Sequence, residues 1–417
     1  MFAAFNTALS ALDANGVAVA VVGNNLANMN TTGYKESVAY FQNLVSESMN
    51  GGQTQVGFGV ASPLTVMQFT QGAISASSGP LDAAIQGNGF FVVNNNGATE
   101  FTRAGSFQVD LSGNLLTPSG QQVQGWMATN GVVDTGGAIG NITVPVGALQ
   151  APQVTTTMTV SANFNASATT GATSDWSAPV TVYDSLGTAH VVTVNFQQTA
   201  ANTWSYTATV PGADVTAGTA GTPYDIPNGS GSLTFNSSGQ LTSPAAGTPI
   251  AFAIPGLSDG AADMSVSWNP YNADGTGTLT QFDQSSATSA VGQNGAAAAQ
   301  LTSVTMGDGG QLLASYSDGQ QTVVAQVAMA NIQNPQSLVS TGNNNYQVSA
   351  DTAAPAVGAP GTGGRGTIVG GALESSNVDM ATELTDLIVL QSAYQANSKV
   401  VTTVDTMVQA ATQLISG

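Results

Sequence analysis

Apolar residues recur at alternating steps of three and four positions at both ends of the chain. The first such segment runs from Phe2 to about Asn28 and the last from about Asn377 to Leu414. This spacing is that of a heptad seam and predicts one helix at each end. Because a helix must bury a continuous apolar seam, we expect these helices to contact each other, copies of the chain, or both. The predicted assembly seam comprises Phe5, Leu9, Leu12, Val19, Leu26, Leu387, Leu390, Tyr394, Asn397, Val401, Val404, Val408 and Ile415.

Between the two helical segments, apolar and polar residues alternate with a period of two. Examples are Val192 to Phe196, Trp204 to Ala208 and Thr322 to Ala325. Turn dipeptides such as Asn130-Gly131 and Asp318-Gly319 separate these runs. Alternation of this kind, interrupted by turn residues, predicts a mainly antiparallel sheet.

Two low-complexity stretches, residues 144–152 and 287–299, bracket a long β segment and indicate crossings between two domains. The expected fold is α+β, with coiled-coil-like terminal helices and two nested, mainly antiparallel β domains. The predicted parts are an N-terminal helix at 1–30 paired with 376–417, extended connecting segments at 31–75 and 355–375, a first β domain at 76–147 and 288–354, and an inserted outer β domain at 148–287.

Charge and composition exclude several functions. The chain has 417 residues, 4 Lys and Arg, 23 Asp and Glu, one His and no Cys, so its formal charge is −19. Nucleic-acid binding needs clustered cations, which are absent, and Ser-His-Asp or Cys-His catalysis has a single possible base. Composition excludes a Cys/His metal site and a nucleic-acid partner but leaves carboxylate chemistry open. Because aromatic residues are only 6% of the chain and widely spaced, a substrate pocket is also disfavoured, and we predict no enzyme and no cofactor. The uninterrupted apolar run from Val17 to Val22 is too short to span a bilayer, and no cation precedes Lys35, so neither membrane insertion nor a signal peptide is expected.

Three short motifs resemble chemical sites but are better explained as turns. Asp184 to Gly187 predicts a hairpin turn that leaves His190 on a partly exposed strand position. Asn272 to Gly275 resembles part of a calcium loop, but the loop lacks acidic ligands at both ends. Gly87-Asn88-Gly89 precedes a strand rather than a helix, which predicts a tight turn instead of a phosphate loop.

Four ordered blocks resemble the signatures of the bacterial flagellar rod and hook proteins. They are Gly23 to Lys35, Ala84 to Phe91, Thr102 to Phe107, and a C-terminal block from Ser376 that ends with Ala393 to Lys399. The blocks are long, specific and spread over both ends of the chain. The signature positions are Asn25, Ala27, Asn28, Asn30, Thr31, Gly33, Tyr34, Gln86, Gly87, Asn88, Gly89, Phe90, Asn377, Val378 and Asp379.

The resemblance implies a structural subunit of the extracellular flagellar hook, exported without a cleaved signal. Hook subunits of this family form a curved, flexible tube with helices inside and β domains outside. The implied partners are other copies, the distal-rod protein, the hook–filament junction protein, the hook cap scaffold and the flagellar export apparatus. Alternatives are a distal-rod subunit, disfavoured by length, or a secreted β-rich binding protein. Asn15, Gly16 and Ser392 depart from the family pattern.

Overall fold

The computed structural model describes residues 2–44, 47–48, 55–57, 59–147, 149–171 and 175–416. Side chains of 2–3, 47–48, 55–56 and 414–416 lie outside the described part, and with them that of Ile415. The chain forms two compact units. The first comprises Met1–Val146, Ser303–Ser315 and Gln321–Gly417, and the second comprises Gly147–Thr302 and Tyr316–Gln320.

Two long helices, both in the first unit, lie at the ends of the chain and pack against each other. Helix α1 spans Phe2–Ala27 and α2 spans Met380–Ser416. Helix α2 begins three residues after the predicted start at Asn377. The physical reason is the cap: the Asp379 side chain accepts a hydrogen bond from the Thr382 backbone N–H at 2.9 Å, which satisfies a free donor of the first turn.

Short strands make up the rest of the first unit. In chain order they are β1 (Ser37–Tyr40), β2 (Glu47–Ser48), β3 (Gln55–Val56), β4 (Leu64–Met67), β5 (Ile74–Ala76), β6 (Ala83–Gln86), β7 (Phe90–Asn95), β8 (Ala98–Thr102), β9 (Gln108–Val109), β10 (Leu115–Leu116), β11 (Gln122–Thr129), β12 (Val132–Val133) and β13 (Gly140–Asn141), then β25 (Ala299–Met306), which belongs to the first unit only from Ser303 onward, β26 (Gln311–Tyr316), β27 (Gln321–Val327), β28 (Met329–Asn331), β29 (Val339–Gly342), β30 (Asn345–Gln347), β31 (Ala356–Gly358), β32 (Thr367–Gly370) and β33 (Ala372–Glu374). A central antiparallel ladder runs β26-β27-β11-β7-β8-β30-β29. The predicted connecting segments 31–75 and 355–375 contain strands of their own, because β1 pairs with β4, β5 with β33, and β6 with β32.

The second unit contains two five-stranded sheets. The strands of this unit are β14 (Leu149–Gln150), β15 (Thr157–Asn165), β16 (Trp176–Tyr183), β17 (Ala189–Ala200), β18 (Thr203–Pro211), β19 (Pro223–Phe235), β20 (Leu241–Ser243), β21 (Ile250–Ile254), β22 (Met264–Trp268), β23 (Leu279–Phe282) and β24 (Ala287–Gln293). One sheet has the order β21-β22-β15-β23 with β24 also paired to β15, and the other has the order β16-β17-β18-β19-β20. Most pairs are antiparallel, but β15 runs parallel to β22 and β23.

The core of the second unit follows from the period-two alternation of its strands. Val192, Val194 and Phe196 of β17 are buried while the residues between them face outward. Phe164 packs edge-on against Phe196 and Trp204, with ring centroids 5.1 and 4.9 Å apart. Such aromatic pairs stabilise a core beyond the area they bury.

The second unit is longer than the predicted inserted domain at 148–287. Strand β24 starts at Ala287 and pairs with β15 along six residues, from Met158↔Gln293 to Asn163↔Ala287. The unit therefore continues to Thr302 and takes up residues 316–320 as well. Low complexity in 287–299 did not mark this boundary, because the small residues of this stretch form a strand whose first five residues are exposed.

The predicted turns are present, but the environment expected for His190 is wrong. Strand β16 pairs with β17 from Trp176↔Phe196 to Tyr183↔Ala189 around the turn at Asp184 to Gly187. Asn272 to Gly275 is a turn closed by a 3.0 Å backbone bond. His190 is 4% exposed rather than partly exposed, because its ring bonds to two carboxylates that cover it.

Helix α1 also differs from expectation in its hydropathy. Among the described residues, Ala4–Ala27 is long and apolar enough, by length and composition, to cross a membrane. The sequence argument considered only uninterrupted apolar runs. Polar residues such as Asn6 and Asp13 interrupt these runs, but the mean hydropathy of the whole segment remains high.

Candidate assembly site

The most buried face of α1 is a stripe of small and amide residues. Ala8, Ala18 and Asn25 are 3%, 2% and 1% exposed, and Asn15 and Val22 are buried as well. Their spacing of 8, 15, 18, 22 and 25 follows heptad steps, and α1 packs against α2 and β1. The small side chains allow close approach of the elements packed on this face.

The large apolar residues predicted as the α1 seam lie one position further round the helix. Leu9 is 43% exposed, and Phe5, Leu12, Val19 and Leu26 are only half-buried. The sequence pattern thus identified an apolar stripe, but α1 buries its small-residue stripe instead. Helix α1 therefore has a face of small and amide residues that is covered within the chain, and a stripe of large apolar residues that stays partly exposed.

On α2, by contrast, the predicted seam follows the more buried face. Val404 is 8% exposed, and Leu387, Leu390, Asn397 and Val401 are half-buried. Tyr394 and Val408 are 47% and 36% exposed. The side-chain amide of Asn397 donates a hydrogen bond to the Ala393 carbonyl at 2.9 Å. This polar group therefore finds a hydrogen-bond partner within its own helix.

Asn25 joins the end of α1 to the start of α2. Its amide donates to Glu383 Oε1 at 2.8 Å and to the Ser37 carbonyl at 2.8 Å. Its Oδ1 accepts from the Ser37 backbone N–H at 3.0 Å and from the Tyr34 hydroxyl at 3.1 Å. Burial, together with the negative charges of Glu383 and Glu36, raises the pKa of Tyr34. One buried amide therefore fixes both helices to the β1 segment.

A buried ion triad uses two of the four cations of the chain. Lys35 Nζ lies 2.6 Å from Glu374 Oε1, and Arg103 Nη1 lies 3.2 Å from Glu374 Oε2, with all three side chains 3% exposed or less. Arg103 also donates to the Gly87 carbonyl at 2.8 Å and lies over the Phe90 ring at 5.5 Å. The triad thus links three of the signature blocks.

Glu374 lies in β33, outside the four blocks, and sequence reasoning missed it. Its Oε1 also accepts from the Gly72 backbone N–H at 2.9 Å. Burial lowers the pKa of Lys35 and of Arg103, and in each case Glu374 opposes that shift. The signal available in the sequence was the scarcity of cations. A chain that has only four Lys and Arg residues and buries some of them needs a buried anion to pair with them.

The C-terminal signature positions fasten the chain just before α2. Asn377 Oδ1 accepts from the Glu36 backbone N–H at 2.8 Å, and its amide donates to the Gln68 carbonyl at 2.9 Å. Val378 is half-buried. Asp379 caps the helix, and its hydrogen bond from the Thr382 backbone lowers its pKa.

Gly33 needs to be glycine at the crossing of two blocks. Its φ is +69°, and a Cβ there would lie 2.7 Å from backbone atoms of Arg103 and Ala104. Its N–H donates to the Glu374 carbonyl at 2.8 Å. Only a residue without a side chain fits this conformation and this approach.

The second signature block forms a turn into the core. Gly87 and Gly89 have φ values of +94° and +131°, and Gln86 and Asn88 are exposed. Phe90 is 2% exposed and packs edge-on against neighbouring aromatic rings. The block thus places the buried Phe90 ring beside Arg103.

The remaining signature positions lie at the end of α1. Asn28 donates to the Asn24 carbonyl at 2.9 Å and accepts from the Thr31 hydroxyl at 3.2 Å. Ala27 and Asn30 are exposed. These residues form a local turn that feeds the chain from α1 into Gly33.

The positions that depart from the family pattern are accommodated. Asn15 is buried in the small-residue stripe, and a Cβ at Gly16 would meet nothing within 4 Å. Ser392 is exposed and bonds back to the Ile388 carbonyl at 2.8 Å.

In the second unit, both ring nitrogens of His190 face carboxylates. Nδ1 lies 2.9 Å from Asp214 Oδ2, and Nε2 lies 3.1 Å from Asp184 Oδ2. A neutral imidazole has one N–H, so both contacts are hydrogen bonds only in the protonated ring. Burial favours the neutral ring, but the hydrogen bonds to Asp214 and Asp184 outweigh it and raise the pKa of His190.

The same cluster is where a metal ion would find ligands among the described residues. The ligand atoms of Asp184, His190 and Asp259 lie within 4.8 Å of one another. A proton on His190 already accounts for the arrangement. Burial would raise the pKa of Asp184, but hydrogen bonds with Asp259, His190 and the turn backbone lower it to about 2.

Family models match four segments that together make up more than two thirds of the chain, and they define its class. Residues 5–35 match the flagella basal body rod protein model and 369–414 match the flagellar basal body rod C-terminal model. Residues 84–163 match the D1 domain of the flagellar hook proteins FlgE/F/G, and 148–296 match the D2 domain of the flagellar basal body protein FlaE. The chain is thus a protein of the flagellar rod and hook class.

Curated relatives narrow this class. The flagellar hook protein FlgE of Escherichia coli strain K12 is 32% identical over 415 residues, covering 96% of this chain and 97% of the relative. The FlgE of Salmonella typhimurium is 33% identical with the same coverage. The chain belongs to the flagellar hook protein family.

A solved structure agrees with the fold. The Helicobacter pylori flagellar hook protein FlgE2 superimposes with a TM-score of 0.51 at 14% identity, covering 71% of this chain and 99% of that one. At this identity the likeness shows the fold alone.

Proposed function

We propose that this chain is the structural subunit of the bacterial flagellar hook. Copies assemble through their terminal helices into a curved, flexible tube that transmits torque from rod to filament and encloses the export channel. Full-length similarity to hook proteins, including the inserted unit, favours this function over a distal-rod subunit.

One observation carries the proposal. Helix α1 leaves Leu9 43% exposed and four further large apolar residues half-exposed, while it buries alanines against its neighbours within the chain. Burying a large apolar side chain is worth roughly 1.5 to 3 kcal/mol. The simplest way to bury this stripe is to pack it against the helix pair of a second copy.

The function is mechanical rather than catalytic. The single imidazole of the chain is held between two carboxylates by hydrogen bonds. Small and uncharged residues dominate the composition, with only 6% charged residues. Outer contacts made of small polar side chains suit subunits that slide past each other in a rotating curved tube.

The partners and the location follow from this function. The tube contacts the distal-rod protein at one end and the hook–filament junction protein at the other, and a cap scaffold accompanies its growth. The subunit reaches the cell surface through the flagellar export apparatus without a cleaved signal, and it acts there without membrane insertion or nucleic acid.

Removal of residues 377–417 tests the function. Concentrated full-length protein should form regular tubes in electron micrographs, whereas the truncated chain should remain monomeric. Circular dichroism and tryptophan fluorescence, with Trp204 and Trp268 in the second unit, should show that its β core stays folded in both. Persistent monomers of the full-length protein, or tubes of the truncated one, would contradict the proposal.

A further inference from the structure

A groove with apolar walls and acidic groups lies where α1, α2 and β1 meet. It has a volume of about 240 Å³ and is lined by Val21, Val38 and Leu390 together with the carboxylates of Glu383 and Asp386. Glu383 is 7% exposed and its Oε1 accepts from Asn25. Burial raises the pKa of Glu383, and the charges of Glu36 and Asp386 add to that rise. Glu383 and Asp386 thus bring two acidic groups to the groove, and no cation is among its described lining residues.

Within the described residues, two cations of the chain, Arg365 and Lys399, have no anionic partner, and of the two Arg365 is held by backbone carbonyls. Lys35 and Arg103 pair with Glu374, and Arg365 donates to the Ala359 carbonyl at 3.0 Å inside its own turn. Lys399 is exposed on α2, and no ion pair joins it to a described carboxylate. A lysine combines an apolar stem with a charged head, which matches a groove of apolar walls and carboxylates.

Lys399 cannot reach the groove of its own chain. It follows Asp386 by 13 and Glu383 by 16 helical residues, which is about 20 to 24 Å along the axis at 1.5 Å per residue. At about 100° per residue it also points about 140° to 160° away from both carboxylates. One helix thus carries the cation on one side and the groove on the other. Two different surfaces on one subunit allow a head-to-tail contact, which extends into a helical polymer when its rotation does not close a ring.

We propose that the groove between α1, α2 and β1 receives Lys399 of a neighbouring copy. The stem lies against the valine and leucine walls, and the ammonium group pairs with Asp386 and Glu383. Copies joined by this contact are offset by about 20 to 24 Å along the helix axis. This inference rests on the proposed function, because it needs a polymer.

A charge exchange tests the contact. Lys399→Glu and Asp386→Lys should each raise the critical concentration for tube formation at least about tenfold, since each leaves like charges in the groove. The double variant, Lys399→Glu with Asp386→Lys, should return within about threefold of the original protein. Lys399→Arg, which keeps the charge, and Asp405→Lys, elsewhere on α2, serve as matched controls and should assemble normally.

Zero-length carbodiimide cross-linking of unmodified tubes gives a second, independent test. It should join Lys399 to Asp386 or Glu383, and mixing isotopically heavy and light subunits should place the two peptides in different copies. If the unmodified protein forms no tubes, the proposed function fails. If tubes form but Lys399→Glu assembles at the same concentration, or Lys399 cross-links only to other carboxylates, this inference alone is wrong.

Discussion

The core of the second unit and the terminal helix pair bury different kinds of residue. In the second unit Phe164, Trp204 and Trp268 are 0% exposed. Phe164 packs edge to face against Trp204, and Trp268 packs edge to face against Phe196 and Tyr206. In the helix pair the buried face of α1 consists largely of alanines and amides, with Ala8 and Ala18 typical of it. Large buried side chains stabilise a fold within one chain. A face of small residues stabilises much less, so we expect the helices to depend on contacts that a single copy does not supply.

The largest effect should come from the aromatic core. Replacing Phe164 with Ala removes a ring in contact with Trp176, Phe196, Trp204 and Phe235. Deletion of a buried Phe side chain costs about 3 to 5 kcal/mol. Denaturant unfolding followed by tryptophan fluorescence should show this loss in the second unit, while the helical signal at 222 nm stays unchanged at moderate denaturant. Simultaneous loss of both signals would contradict the independence of the two regions.

An effect of similar size is expected for the ion triad of Lys35, Arg103 and Glu374. Glu374→Gln leaves Lys35 and Arg103 buried without an anion, which costs about 3 to 5 kcal/mol for a broken buried pair. The first unit should unfold at lower denaturant, while the second keeps its midpoint. Glu100→Gln is a matched control, since Glu100 is equally buried but accepts hydrogen bonds from Asn345 and Asn95 rather than from cations. Equal losses for the two variants would argue against the special role of the triad.

A smaller effect, visible only on assembly, is expected for the exposed stripe. Leu9→Ala should change the stability of the monomer by less than about 0.5 kcal/mol, because Leu9 is 43% exposed there. The critical concentration for tubes should rise about tenfold, as expected for a lost buried Leu at an interface. Light scattering against concentration measures it. Leu111→Ala, at a fully exposed leucine of the first unit, should change neither quantity.

The smallest effect is the pH dependence of the second unit. The pKa of His190 is raised above its ordinary 6.5, so its contribution is full below pH 6.5 and is lost as pH rises through the higher folded pKa. The pKa of Asp184 is lowered from 3.8 to about 2, so its contribution is present above pH 3.8 and is lost as pH falls toward 2. Stability should therefore be greatest between about pH 4 and 6.5.

His190→Gln checks this assignment. The variant should lose about 1 kcal/mol at pH 6 and show no decline between pH 6.5 and 9 in thermal melts. Tube formation should be nearly unchanged. A decline of the same size in the variant would mean that another group titrates there.

Sequence alone predicted the elements whose pattern is local. The seam of α2 and the alternation of β17 each follow from one repeating rule, and the fold class was confirmed by the likeness to a solved hook protein. The choice between two neighbouring stripes of α1 was not predictable, because both have heptad spacing. Packing selects the alanine stripe, and hydropathy alone favours the leucines.

Long-range partners were the other gap. Glu374 meets Lys35 across 339 positions of sequence, and no spacing rule connects them. The hairpin that carries His190 could be predicted from its turn residues, and His190 was expected to be partly exposed on it. The carboxylate of Asp214, which covers the His190 ring, follows the next strand and could not be placed there from the sequence. Local periodicity therefore predicted elements, and the charged contacts between elements required the structure.

The central claim is that the helix pair completes its packing only in the polymer, whereas the second unit is complete in the monomer. Hydrogen exchange, compared between monomer and tube, tests it most directly. Amides of residues 4–26 and 384–412 should exchange at least about tenfold more slowly in the tube, and those of β17 and β18 at equal rates in both states. Helices already as protected in the monomer as in the tube would contradict the account.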